Sequence, residues 1–236
     1  MLEGAFNFRD LGGLPLPDGR RIRHGRLFRS DTLQALTVRD VTILLEDIGL
    51  KTVIDLRLAE EVREQGRGLL GESGRVGFVD APFGMASTDG IPADEVLEHL
   101  YERCLVSDSL PRAVQCIAEH AHAPVLFHCA AGKDRTGIVA ATVLGLVGVD
   151  EDTIVADYLR SAAAMPRIIE RFRTWPRYRE HHAAMPAQVY AVDERPIRHF
   201  LGCMRERFGG ARQWAANNGL AAAALARLEQ QVVAAP

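Results

Sequence analysis

Cys129 and Arg135 stand in the run His128-Cys-Ala-Ala-Gly-Lys-Asp-Arg135-Thr136. A thiol and a guanidinium at this spacing can reach one bound oxyanion if the chain between them curls into a loop. The preceding Pro124-Val-Leu-Phe-His128 is short, continuous and apolar, the pattern of a buried strand, and Thr136 to Val147 reads as a buried helix. A loop from strand end to helix start directs successive backbone N–H groups to one point at the positive end of the helix dipole, which is an anion site. The segment Ala130, Ala131, Gly132 and Lys133, with Thr136, supplies the phosphate-binding candidates. Arg135 adds a planar two-pronged donor that a lysine could not reproduce. The same field favours the ionised form of a thiol, so Cys129 is expected to react as a thiolate. Thr136 is expected to donate its hydroxyl to the sulfur, and His128 to orient the loop from behind. In-line attack on phosphorus would give a phosphocysteine that water then hydrolyses, with the arginine and amides stabilising charge on the equatorial oxygens. His-Cys-x5-Arg-Ser/Thr arises by chance in a chain this long about once in a thousand times or less. The plain alternative, a buried apolar Cys129 with Arg135 as a surface charge, competes poorly with that figure.

Such a reaction runs more easily when a carboxylic acid protonates the departing oxygen. Trp175-Pro176 is followed by Arg177 and lies after the nucleophile, so it is read as a helix break and not as an acid-bearing loop. The acid candidates are Asp134 inside the loop, Asp55 at the end of a strand, Asp89 beyond the next strand and, as a minor one, Asp80. Asp55 has a second reading, a salt bridge to Arg57 or to the loop. Lys133 either adds positive charge beside a substrate bearing several phosphates or lies solvated at the loop rim. Gly132-Lys133 is not a nucleotide-binding motif, because Asp134 stands where Ser or Thr is needed.

The elements that must hold this loop alternate between strand and helix. Lys51 to Leu56 is the clearest strand, with Val76 to Ala81 and Arg26 to Arg29 weaker ones. Thr37 to Leu50 (capped by Thr37), Ala93 to Val106 and Ser109 to His122 read as helices. Strands separated by helices predict an α/β fold with a central, largely parallel twisted sheet flanked by helices, with ligands outside the carboxyl ends of its strands. From Glu151 onward the pattern is wholly helical, punctuated by Pro166, Pro176, Pro186 and Pro196, and Ala221 to Ala226 is helical too. The expectation is one domain over 1–236, with a catalytic α/β body at 1–160 and a C-terminal helical extension, a candidate lid, at 161–236. Asn7, Arg9 and Asp10 are expected to brace the site or pin the N-terminus. The basic run Arg167, Arg171, Arg173, Arg177 and Arg179 is either part of that lid or an ordinary solvated face.

With 28 Lys and Arg against 31 Asp and Glu, the formal net charge of -3 argues against a nucleic-acid binder. The longest apolar stretch, Gly137 to Val149, is short of a membrane span and no signal peptide is visible, so a cytoplasmic location without integral membrane association is expected. The four cysteines form no CxxC pair and show no zinc spacing, and His181-His182 lack a third ligand. Reduced thiols, and neither metal nor other cofactor, are expected.

The segment Val125 to Gly137 resembles the signature loop of the protein tyrosine phosphatase superfamily. With Gly132-Lys133-Asp134 it is similar to the bacterial branch of the mycobacterial protein tyrosine phosphatase B type. Asn7 to Gly13, Gly25 to Ser30, Val53 to Arg57 and Ile154 to Ser161 match that branch as well, so the likeness covers roughly residues 4–161. It implies the cysteine-phosphatase fold, a helical lid and Asp134 as acid. It also implies phosphotyrosine substrates, with phosphoserine, phosphothreonine and phosphoinositides in range. Two rivals remain: a catalytically silent phosphate- or phosphoinositide-binding pseudophosphatase, which the intact Cys129, Arg135 and Thr136 disfavour, and a sulfurtransferase, whose loop has no need of Arg135.

Overall fold

The computed structural model describes residues 2–85, 90–179 and 187–234. Five strands form one sheet: β1 Arg9–Asp10, β2 Leu27–Ser30, β3 Thr52–Asp55, β4 Gly77–Asp80 and β5 Val125–His128. Their order is β1-β2-β5-β3-β4, parallel except for β1, which runs antiparallel to β2. The register aligns Ser30, His128, Asp55 and Asp80 in one row at the carboxyl edge. Alternate residues of the inner strands serve opposite cores. Leu27, Ile54 and Phe127 face the larger one, and Phe28, Val53 and Leu126 face the smaller. A sheet covered on both faces needs such doubly apolar strands, which is why β3 and β5 are legible as unbroken apolar runs.

The flanking helices are α1 Val38–Thr42, α2 Ala59–Gln65, α3 Gly68–Glu72, α4 Val96–Cys104, α5 Ser109–His120, α6 Asp134–Leu146 and α7 Glu151–Leu159. They are followed by α8 Met165–Thr174, α9 Glu194–Phe208, α10 Ala211–Asn217 and α11 Ala222–Val232. The α/β reading of the sequence therefore holds. Thr37 caps α1 in a reciprocal box with Asp40, and the helix then loosens into a π turn over Ile43–Asp47, which no sequence signal announced. Trp175 adopts an extended conformation after α8, the break foreseen at Trp175-Pro176.

Three details differ from the sequence reading. β1 is only two residues long, too short to show alternation. The helix expected from Thr136 starts at Asp134, which places Asp134 and Arg135 in its first turn. The tail is not purely helical: Val233 bridges Ile22, and Arg23 N–H donates to Val232 O at 2.7 Å, docking the C-terminus on the N-terminal body.

Candidate active site

The loop between β5 and α6 turns back through Gly132, whose φ is +67°. A Cβ at that residue would stand 2.5 Å from Ser30 O and 2.6 Å from Asp31 N, so close approach and backbone sign together require glycine. Partners behind the loop take its carbonyl oxygens. Thr32 N–H donates to Ala130 O at 3.1 Å, and Asn7 Nδ2 to Ala131 O at 3.2 Å and Gly132 O at 3.0 Å. Arg29 Nη2 donates to Gly132 O at 2.7 Å. With successive carbonyls held outward, the intervening amides face the opposite side, where the sulfur lies. Gly132 N–H donates to Cys129 Sγ at 3.3 Å.

That support is itself anchored. Asp157 on α7 binds Arg9 Nε at 2.7 Å and Arg29 Nη1 at 2.7 Å, and Arg9 also bonds Asn7 Oδ1. Burial opposes the Asp157 charge, but Arg29 and Arg9 outweigh it and hold the carboxyl below its usual range. Burial beside Arg29, partly offset by Asp157, lowers Arg9 to about 10. Asn7 and Arg9 thus brace the loop as foreseen. Asp10 pins the N-terminal turn by accepting from Gly12 N–H and Gly25 N–H, 2.8 and 2.9 Å. Arg29 and Asp157 were not singled out from sequence, although both lie in segments that matched the family.

In front of the loop, Cys129, Ala130, Ala131, Lys133, Asp134 and Arg135 line a cavity of about 520 Å³. Cys129 is 2% exposed. Glu61 on α2 grips Arg135 end-on, Nη1 to Oε2 at 2.6 Å and Nη2 to Oε1 at 2.9 Å. Burial disfavours both charges, but their mutual bonds lower Glu61 and raise Arg135 from their ordinary values. Among the described residues no hydrogen bond occupies Arg135 Nε, so one side of the guanidinium fork stays available. Glu61 escaped the sequence reading because its position in the chain, 74 residues from Arg135, gave no spacing cue.

Asp134 also lines the cavity. Tyr101 on α4 donates its hydroxyl to Asp134 Oδ1 at 2.6 Å, and Tyr158 on α7 lies 2.8 Å from Tyr101 Oη. Burial and the Asp134 charge push the Tyr101 phenol well above its ordinary value, so it keeps its proton and acts as donor. Tyr158 must then donate to Tyr101. Neither tyrosine was singled out in the sequence.

Several sequence expectations need correction. Thr136 Oγ1 has no hydrogen-bond partner among the described residues, so it does not donate to the sulfur. Lys133 is not solvated at a rim. It is 1% exposed and its ammonium meets Val189 O, Ala191 O at 2.9 Å and Asp134 Oδ1 at 3.2 Å, so it contributes local charge and no free donor. Of the two readings of Asp55, the salt bridge to Arg57 holds and acid chemistry does not fit. It is fully buried, and Arg57 takes both oxygens, Nε to Oδ1 at 2.9 Å and Nη2 to Oδ2 at 2.7 Å. Burial opposes its ionisation, but His128 and Arg57 outweigh that and hold the carboxyl far below the usual range. Asp80 is exposed, ion-paired to Arg67 and absent from the cavity wall. Asp89 and His181-His182 lie outside the described residues, as does Pro186. His128 does sit behind the loop, its Nδ1 3.1 Å from Cys129 O, with burial pushing it down to about 4.

A parallel-sheet body that ends a central strand in a cysteine loop, with an arginine in the first turn of the next helix, defines a class of phosphate-ester hydrolases. The tyrosine phosphatase family model matches residues 1–234, and the chain belongs to that family. The triple specificity protein phosphatase PtpB of Mycobacterium tuberculosis is 32% identical over 90% of this chain and 87% of its own length. A tyrosine-protein phosphatase of Nostoc commune is 35% identical over 50% of this chain and 42% of its own. Among solved structures, the core catalytic domain of the PP-IP phosphatase SIW14 from S. cerevisiae aligns with 66% of this chain and 75% of that one, at 21% identity and a TM-score of 0.38. The protein is an enzyme, a phosphatase. No helix among the described residues is long and apolar enough to cross a membrane.

Proposed function

We propose that the chain hydrolyses phosphomonoesters through a phosphocysteine, acting on phosphotyrosine and also on phosphoserine, phosphothreonine and phosphoinositides. One observation carries the reading: Cys129, Ala130, Ala131 and Arg135 line a single cavity, and Gly132 N–H donates to Cys129 Sγ at 3.3 Å. A phosphate seated there accepts from Arg135 and the loop amides. The Cys129 thiolate attacks phosphorus, the bond to the substrate oxygen breaks, and Asp134 protonates that oxygen as it leaves. Water then attacks phosphorus, Asp134 takes its proton, and the S–P bond breaks to restore the thiolate. Phe83, Leu97, Leu100, Met165, Phe172 and Tyr178 line the same cavity and suit an aryl leaving group. The triple specificity in the name of the mycobacterial relative supports the wider range. Residues of 161–236 help wall the cavity, which supports one domain with its extension as a lid. Cys129→Ser tests the mechanism: turnover of p-nitrophenyl phosphate in EDTA should vanish while inorganic phosphate still binds. Retained turnover would sink the phosphocysteine route, and turnover absent from the unaltered chain would favour a pseudophosphatase.

A further inference from the structure

The helices α4 and α9 face each other through a ladder of acids against cations. Glu98 on α4 lies 3.9 Å from Arg195 on α9, and Glu102, one turn further, is bound through Oε1 by Arg207 Nη1 at 2.6 Å. Between Arg195 and Arg207, on the same stripe of α9, stand His199 and Cys203 in place of further cations. His199 Nε2 lies 3.2 Å from Glu102 Oε2 and 3.5 Å from Cys203 Sγ, and the three donor atoms are all within 4.8 Å of one another. We propose that Glu102, His199 and Cys203 bind a divalent cation of the zinc class, at a site separate from the cavity that holds Cys129.

The geometry suits that ion. Zinc bonds of about 2.0 to 2.3 Å in a tetrahedron set neighbouring ligand atoms roughly 3.3 to 3.7 Å apart, close to the two separations from His199 Nε2, while Glu102 and Cys203 lie within 4.8 Å of each other. A set of thiolate, imidazole and carboxylate selects a borderline-soft metal over magnesium or calcium, which take oxygen ligands. Arg207 holds the other carboxylate oxygen and so orients Oε2 toward the site, as an outer-shell partner does. His199 and Glu102 are about two-fifths exposed, which provides an entry path and room for water as the fourth ligand. A His–Glu ion pair alone would not call for a sulfur aimed at the same nitrogen. The ligands come from two helices, with Glu102 and His199 set 97 positions apart in the chain, so no sequence spacing betrayed them. A bound ion would tie α9 to α4, the helix whose Tyr101 holds Asp134.

The test uses Cys129→Ser chain, so that the active-site thiol cannot compete, titrated with cobalt(II) and then zinc(II). One equivalent of cobalt should give tetrahedral d–d absorption and a thiolate charge-transfer band, both displaced by zinc. Cys203→Ser in that background should abolish the charge-transfer band, and His199→Ala should weaken zinc binding about 10- to 100-fold against a chromophoric chelator. Cys116→Ser should change neither. A missing band in the Cys129→Ser chain, a band that survives Cys203→Ser, or unchanged affinity in His199→Ala would each overturn the site. None of these readouts depends on phosphatase activity.

Discussion

Two groups of arginine–carboxylate pairs meet at the loop, one behind it and one in front. Behind, Arg9 and Arg29 converge on Asp157, and all three are buried. Arg29 Nη2 bonds Gly132 O at 2.7 Å and Arg9 bonds Asn7, which holds the loop from outside, while Arg29 Nε is buried without a hydrogen-bond partner among the described residues. In front, Arg135 meets Glu61 end-on and also lines the cavity, and its Nε has no hydrogen-bond partner among the described residues. The chemistry of the pairs is the same; what differs is whether the guanidinium is enclosed on all sides. A fully enclosed pair positions, and a half-enclosed pair is left able to bind. The two groups should therefore fail differently when broken.

The largest effect is expected behind the loop. Asp157→Asn leaves two buried guanidinium groups without their counter-ion and should cost about 3–5 kcal/mol of stability, read from urea unfolding. A loss below about 1 kcal/mol, typical of a surface pair, would erase the contrast. In front, Arg135→Lys keeps the charge and loses the fork. Its kcat/KM for p-nitrophenyl phosphate should fall about 10²- to 10³-fold with a melting temperature near that of the unaltered chain. A large drop in melting temperature would mean that Arg135 belongs with the positioning group. Asp134→Asn should slow an alkyl phosphate about 10²-fold while barely affecting an aryl phosphate with a good leaving group. Equal slowing of both would move the acid role elsewhere.

The smallest effect sharpens the back of the loop. Asp31 accepts from Asn7 N–H at 2.9 Å and from Arg171 on α8 at 3.1 Å, yet burial pushes it up to about 6 despite those bonds. Between its ordinary value near 3.8 and about 6, the unfolded chain has lost a proton that the folded chain retains. Its contribution is therefore full below that window and lost as pH rises through it. His128, lowered to about 4, acts in the opposite sense as pH rises from 4 toward its ordinary 6.5. The difference in unfolding free energy between Asp31→Asn and the unaltered chain should hence change across pH 4–6. A flat difference would show that Asp31 does not titrate in that window.

Much of the architecture was legible because doubly covered strands must be apolar throughout: β3 and β5 announced themselves, and so did the loop after β5. β1 did not, since two residues carry no period. The acid candidates show the limit of residue type. Asp134, Asp55 and Asp80 look alike in sequence, but only Asp134 reaches the cavity, while Asp55 is enclosed by Arg57 and Asp80 is exposed at the surface. For Lys133 the sequence left two readings, added charge beside the substrate or a solvated side chain at the rim, and the rim is excluded because the carbonyls of Val189 and Ala191 receive its ammonium.

The sequence by itself determined the strand–loop–helix unit and the order Cys129, Gly132, Arg135, because local spacing sets which groups one loop can present to one anion. Only the tertiary structure decided that Glu61 holds Arg135, that Tyr101 holds Asp134, and that Asp157 secures the loop from behind. Those partners lie 74, 33 and 128 to 148 residues from the groups they bind. Such contacts arise from the packing of helices on the sheet, and a linear pattern holds no period that could encode them.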